Sequence, residues 1–375
     1  MSHPDAPHHT LTRRVLDRPA GTVPWVDKQR SVAFDTWLAP LILSHGLKPE
    51  SIRLASSDAS FRRYLRVDTN TTSLIIMDAP PDKEDCRTFA AVAALMAAAG
   101  LNVPQVLASS EALGFMLLSD LGQQTMMQAI DKADALANLP LYLQAVDALI
   151  TWQLASRPGV LPICDAALLR REMDLFPQWY VAGHRQTTID NALQASLDPV
   201  FDNIIAENLA WPSVYVHADF MPRNLMLPRA ARATSTPAQS LGVLDFQDAV
   251  YGPITYDIAS LMRDAFLSWD EDFVLEVTIR YWEQARRAGL PVGGDFGAFY
   301  RAVEWMGLQR HLRVAGVFAR LTLRDGKPQY LADAPRFIAY IRATASRYRE
   351  LRPLLRLIDR IEGSSAGVGY AFGRV

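Results

Sequence analysis

Apolar residues recur along this chain with two periods, and the change of period divides it. Short apolar runs come first: Ser51–Ser56, Tyr64–Val67, Leu74–Met77, Gln105–Ala108 and Phe115–Leu118. Runs this short, bounded by polar or turn-forming residues, predict five strands. Asp27–His45 precedes them, with Val32, Phe34, Trp37, Leu41 and Ile42 near one face and Gly46 as a stop, and predicts a helix. The alanine-rich stretch Glu84–Ala99, ended by Gly100, predicts another after the third strand. Farther on the spacing becomes three and four: Leu136, Leu139, Leu143, Val146 and Ile150 mark a core-facing stripe. Leu168–Val181, Ile189–Leu209, Tyr256–Phe266, Glu271–Ala288, Phe296–Ala319 and Pro335–Glu350 predict further helices, and Pro353 opens a last short one. The pattern predicts an α+β fold: a small five-stranded antiparallel N-lobe with a leading helix over residues 27–120, and a larger, mainly helical C-lobe over 121–375. Residues 1–26 read as a flexible tail.

Composition narrows the class. The 375 residues admit two or three domains, and half of them are hydrophobic, which excludes wholesale disorder. The two cysteines, Cys86 and Cys164, offer neither metal spacing nor a disulfide framework and read as buried thiols of a reducing, cytoplasmic compartment. No run of 18 apolar residues and no apolar leader occur, so neither a membrane span nor a secretory signal is expected. His3, His8 and His9 sit in a polar, proline-containing start that reads as solvated tail rather than metal site. Residues 280–375 carry 17 Lys and Arg against 8 Asp and Glu, while the rest of the chain carries 21 against 32. That basic end could be a binding surface or helices with solvated faces. No basic stripe interleaves with aromatics, so nucleic acid is not an expected partner.

One stretch breaks the helical pattern. A short strand, Val214-Tyr215-Val216, delivers His217-Ala218-Asp219. Asn224 follows five positions on, and a second apolar run, Leu241–Leu244, ends on Asp245. Phosphoryl transfer from ATP needs such a set: a carboxylate to take a hydroxyl proton and two oxygen ligands for Mg²⁺ on the phosphates. Asp248 either supports those ligands or is a solvated carboxylate. Between the strands Pro228–Ser240 reads as a long loop with a mobile tip.

The ordered set resembles the catalytic core of the kinase-like phosphotransferases: aminoglycoside phosphotransferases, choline kinases and their relatives. The resemblance implies a two-lobed protein-kinase-like fold, with ATP and Mg²⁺ as cofactors. It makes Asp219 the catalytic base and Asn224 and Asp245 the metal ligands, with His217 a brace of the loop. A turn at Ser57, Asp58 and Ser60 would close over the phosphates, and Ser119, Asp120 and Leu121 would form the hinge that meets the adenine. One departure stands out. Kinases grip the phosphates with a lysine on the third strand, and residues 68–82 contain no Lys or Arg, Met77 or a neighbour taking that place. Arg62, Arg63 and Arg66 are the candidates to replace it. A pseudokinase that binds nucleotide without turnover is the alternative.

Further stretches resemble one subgroup, the anomeric N-acetylmuramate/N-acetylglucosamine kinases of bacterial cell-wall recycling. They are Asp58–Tyr64, Met77–Pro81, Gly114–Gly122, Asp219–Asn224, Gln247–Pro253, Phe318–Leu321 and Arg324–Lys327. The resemblance covers about Asp27 to Arg349 and implies phosphorylation of the C1 hydroxyl of a small amino sugar; a monomer is expected. The basic final third suits a neutral or anionic acceptor. Arg310, His311 and Arg313, on one predicted helix, are candidates for the lactyl carboxylate of N-acetylmuramate. Glu172 and Trp179 are candidates to read sugar hydroxyls and stack on the ring. Choline, homoserine or an aminoglycoside remains the other acceptor class.

Overall fold

The computed structural model describes residues 23, 25, 27–57, 61–228 and 240–363. His3, His8 and His9, nearly all of the expected tail, Asp58 and Ser60 of the phosphate turn, and most of the Pro228–Ser240 loop lie outside the described residues. The described chain forms two compact units, one holding residues up to Ala94 with Pro104–Leu121, the other Leu95–Val103 with the residues from Gly122 onward.

The first unit begins with α1 (Lys28–His45), whose ends are local chemistry. Asp27 caps the start by accepting the Gln29 N–H at 2.8 Å, and Gly46 ends it at φ 61, where its N–H reaches the Ile42 carbonyl. Five strands follow: β1 (Lys48–Ser57), β2 (Arg63–Asp68), β3 (Ser73–Asp78), then, after α2 (Cys86–Ala98), β4 (Val106–Ser110) and β5 (Phe115–Ser119). They form one antiparallel sheet in the order β1-β2-β3-β5-β4. Alternation sends Leu65 and Val67 of β2, Leu74 and Ile76 of β3, and Phe115 and Leu117 of β5 into one core with Phe34 and Leu38 of α1. Phe34 meets Phe115 edge-on at 5.5 Å. Gly114, at φ 66, is obligatory, because a Cβ there would sit 1.9 Å from the Ala79 carbonyl oxygen.

The second unit is mainly helical: α3 (Met126–Ala129), α4 (Leu139–Leu154), α5 (Ala166–Met173), α6 (Asn191–Leu209), α7 (Tyr256–Met262), α8 (Glu271–Arg287), α9 (Phe296–Leu323), α10 (Ala334–Arg347) and α11 (Arg352–Glu362). Two small antiparallel pairs carry the irregular segment: β6 (Ser213–Val216) with β9 (Val250–Pro253), and β7 (Leu225–Met226) with β8 (Gly242–Val243).

Two expectations need correction. The aliphatic stripe holds only in part: Val146 and Ile150 of α4 are buried and Leu139 and Leu143 half-buried, but Leu136 lies in a turn ahead of the helix and is 66% exposed, and the buried face also takes in Tyr142, Ala145, Leu149 and Trp152. Tyr142 and Trp152 are the largest side chains on that face, and they widen it beyond the aliphatic spacing. The single helix expected over Leu168–Val181 is instead α5 followed by a π-helical segment, Phe176–His184. Pro177 has no N–H for the carbonyl of Met173, which breaks the α ladder there.

α9 is the helix on which this unit is assembled. It is buried over most of its length and packs against α5, the π-helical segment, α6, α7 and α10. Gly316 permits the closest approach, since a Cβ there would lie 2.5 Å from the Leu175 carbonyl oxygen. Among the described residues no helix is long and apolar enough to cross a membrane.

Candidate active site

Polar groups buried on α9 lead to the site. Gln309, Arg310 and His311 are all enclosed, and enclosed polar groups need partners. Arg310 Nη1 donates to the Ala218 carbonyl, and its Nη2 lies 3.4 Å from Asp219 Oδ1. Arg313, one turn on, places Nη1 3.7 Å from the same Asp219 oxygen and Nε 3.4 Å from Glu172 Oε1. Gln309 Nε2 donates to Glu172 Oε2 at 2.8 Å. Asp219, Arg310, Arg313 and Glu172 are thus one connected group.

Asp219 is presented by a segment that long-range bonds hold in shape. Asp257 on α7 is fully buried and accepts the backbone N–H groups of His217 at 2.7 Å and Ala218 at 3.1 Å. Between these anchors Ala218 takes φ 76, a conformation costly for a residue with a Cβ. His217 Nε2 donates to the Leu244 carbonyl at 2.9 Å, and its Nδ1 accepts the Asp219 N–H at 3.2 Å. One neutral tautomer satisfies both bonds, so the imidazole ties the segment to the end of β8.

Asn224 and Asp245 complete the set. Asn224 Nδ2 donates to the Asp219 carbonyl at 2.9 Å and approaches Asp245 Oδ2 at 3.4 Å. Both contacts use the NH₂ group, which leaves Oδ1 as the atom for a cation. Asp245 stands at φ 62, another left-handed position, and its Oδ1 accepts Gln247 Nε2 at 3.0 Å. Among the described residues no group of three His, Cys, Asp or Glu forms a protein-only cage for a metal. Mg²⁺ does not require one, since phosphate oxygens and water fill most of its positions beside one or two carboxylates. An amide oxygen and a carboxylate fit that need.

Charge at the site is uneven. Burial pushes the Asp219 carboxyl up, but Arg313 and Arg310 outweigh it and hold its pKa below the usual carboxylate range. Asp257 goes the other way: burial raises it to about 6, against the pull of His217 and of the backbone bonds it accepts. Burial also pushes His311 down to about 3, so that ring is neutral. An ionised carboxylate, 31% exposed and steadied by two guanidinium groups, can orient a hydroxyl and receive its proton.

The sequence candidates divide accordingly. Asp219, Asn224, Asp245, Glu172, Arg310 and Arg313 come together in the second unit. His311 makes its contacts elsewhere, with Nε2 donating to the Arg263 carbonyl at 3.0 Å and the ring stacked 4.7 Å from Tyr340. Trp179 lies half-buried on the π-helical segment, and Asp248 is exposed. The nucleotide candidates lie in the first unit. Ser57 ends β1, paired with Arg63. Arg62 pairs with Glu84 at 2.8 Å. Arg63 shares Asp78 with Arg30. Arg66 lies on the sheet face opposite Leu65, as alternation requires, and is bound to Asp120 at 2.7 Å. Ser73 also donates to Asp120, Ser119 Oγ accepts the Gln105 N–H at 2.8 Å, and Leu121 is half-buried. Met77 is fully buried.

Asp257 and Gln309 were missed. Asp257 had a signal: a lone carboxylate in the run Tyr256–Met262, which is otherwise free of charge and wholly buried, must have a dedicated partner. Gln309 had none, because an amide on a helix is ordinary until packing encloses it.

A model of a phosphotransferase enzyme family matches residues 51–292. An N-acetylmuramate/N-acetylglucosamine kinase of Pseudomonas aeruginosa is 45% identical over 343 residues, covering 90% of this chain and 98% of its own. A protein of the same name from Neisseria meningitidis serogroup B is 44% identical, covering 92% of this chain and 100% of its own. The crystal structure of a choline/ethanolamine kinase family protein from Mesorhizobium loti superposes with a TM-score of 0.57 at 14% identity, over 88% of this chain and 99% of that one. At that identity the likeness shows the fold, which is kinase-like.

Proposed function

The chain belongs to the phosphotransferase enzyme family, and we propose that within it the protein is an ATP-dependent sugar kinase. Its acceptor is the C1 hydroxyl of N-acetylmuramate and N-acetylglucosamine, as in peptidoglycan recycling. The carrying observation is the part-exposed Asp219 carboxylate, set beside Asn224 and Asp245 by strained, anchored backbone, in a chain that aligns with two amino-sugar kinases over nearly their whole length.

Asp219 orients the acceptor hydroxyl and takes its proton as the phosphoryl group arrives. Arg310 fixes the carboxylate so that no reorientation is needed at that moment. Its lowered proton affinity suits a hemiacetal hydroxyl, which is more acidic than an ordinary alcohol. Asn224 Oδ1 and Asp245 would hold Mg²⁺, and the bound ion would neutralise charge on the triphosphate. In the first unit Ser57 with the residues after it and Ser119–Leu121 meet the nucleotide, and Arg62 supplies the cation that Met77 does not. Glu172 reads a sugar hydroxyl and Trp179 covers the ring.

A coupled ADP-release assay across amino sugars, choline, homoserine and aminoglycosides tests the reading. Turnover is expected with the two amino sugars, and the product should lose phosphate in mild acid, as glycosyl 1-phosphates do. An acid-stable sugar phosphate would reject the C1 assignment, and turnover confined to choline or an aminoglycoside would reject the acceptor class.

A further inference from the structure

N-acetylmuramate differs from N-acetylglucosamine by an ether-linked lactyl group on O3, which carries a carboxylate. One site that takes both sugars needs a cation for that group, and the cation must also tolerate its absence. Three basic residues of α9 are candidates, and the structure separates them. Arg310 is enclosed: its side chain is 4% exposed, its Nη1 serves Ala218 and its Nη2 faces Asp219, and its remaining donor, Nε, is buried away from the acceptor. His311 is enclosed, stacked on Tyr340 and directed to Arg263. Arg313 is different. Its side chain is 24% exposed beside the part-exposed Asp219. Among the described residues its one hydrogen bond is a 3.3 Å contact from Nη1 to the Tyr256 hydroxyl. The carboxylates of Glu172 at 3.4 Å and Asp219 at 3.7 Å hold it as ion pairs longer than charge-assisted hydrogen bonds. Among the described residues Nη2 has no partner. A planar guanidinium with donors to spare, next to the group that meets the acceptor, suits a carboxylate.

We propose that Arg313 is the specificity residue for the acceptor's carboxylate, and that Glu172 is the counter-ion it keeps when the acceptor has none. This rests on the amino-sugar kinase reading. N-acetylglucosamine leaves the Arg313–Glu172 pair in place, anchored by Gln309. N-acetylmuramate presents its lactyl carboxylate to the spare donors. The two ends of the sugar are a ring and a short ether arm apart, so a C1 hydroxyl at Asp219 and a carboxylate at Arg313 are compatible with the two residues being neighbours.

The test is the ratio of kcat/KM for N-acetylmuramate to that for N-acetylglucosamine, measured for the full chain and for Arg313→Gln, Arg313→Lys and Glu172→Gln. In Arg313→Gln the ratio should fall by at least about tenfold, through the KM of N-acetylmuramate, the usual scale for a hydrogen bond to a charged group. Arg313→Lys, which keeps the charge but not the fork, should lower it by roughly threefold or more. Glu172→Gln removes the competing carboxylate and should hold or raise it. Parallel losses on both sugars in the Arg313 variants would overturn the proposal, because Arg313 would then serve Asp219 alone. If Arg313→Gln does not fold, an unchanged ratio in Arg313→Lys overturns it equally. A parent chain inactive on both sugars would reject the kinase reading itself.

Discussion

Asp78 in the first unit and Asp219 in the second each face two arginines, at different distances. Asp78 takes Arg30 Nη2 at 2.6 Å and Arg63 Nη2 at 2.5 Å, and its side chain is 5% exposed. Asp219 has Arg310 at 3.4 Å and Arg313 at 3.7 Å, and is 31% exposed. The first unit repeats the tight form in Arg66–Asp120 and Arg62–Glu84. Where every donor is matched, the pair builds structure, and removing one partner strands a buried charge. Where the contacts are long and partly wet, the groups retain capacity for a substrate. The same residue types thus serve two ends, and distance with burial tells them apart.

The largest effect should come from the loose group. Asp219→Asn is nearly isosteric and should lower kcat by roughly 10²–10⁴-fold, the range for loss of a general base, with the KM for ATP little changed. Its unfolding free energy should stay close to that of the parent. A loss of stability matching that of an Asp78 variant would erase the contrast.

Asp78→Asn should do the reverse. It leaves Arg30 and Arg63 without their carboxylate, at a cost of roughly 3 kcal/mol in a urea melt. Unchanged stability would mean that tight pairs in this sheet are no more structural than the loose ones.

Arg62→Ala probes a pair that is tight and yet proposed to act. The KM for ATP should rise about tenfold, or kcat fall by as much. Unchanged kinetics would return Arg62 to the structural class and leave the phosphates to backbone amides and the metal.

The smallest effect concerns Asp264, fully enclosed just past α7. Its Oδ1 accepts the Phe266 N–H at 2.6 Å, and its Oδ2 has no hydrogen-bond partner among the described residues. Burial raises its pKa from 3.8 to about 6, despite the Phe266 N–H and Arg310. Below about pH 4 it is protonated in both folded and unfolded states. From there to about pH 6 only the folded state keeps the proton, so its contribution to stability falls as pH rises through that window. Denaturant melts of Asp264→Asn should therefore gain on the parent between about pH 4 and about pH 6, with a constant difference above. A difference independent of pH would show that Asp264 titrates normally.

Much of this molecule follows from amino-acid order, because much of it is decided over short distances along the chain. Asp27 and Gly46 bound α1 through bonds to residues within one turn, and alternation alone sends Leu65 and Val67 to one face of β2 and Arg66 to the other. The spacing of Asp219, Asn224 and Asp245 was visible because one segment and the end of the next short strand carry all three. Aliphatic spacing found Val146 and Ile150 of α4 but extended the stripe back to the exposed Leu136 and did not weigh Tyr142 and Trp152, and it ran one helix through Pro177. Packing decided the rest. Arg310 reaches Asp219 from 91 positions away, and Asp257 holds the His217 N–H from 40 away. Arg310, His311 and Arg313 look equivalent on one helix in the sequence. The burial of α9 closes one arginine over Ala218, leaves another partly exposed beside Asp219, and turns His311 to a carbonyl and a ring. Periodicity carries no information about which distant carboxylate a guanidinium will meet, because that partner is set by how the helices pack.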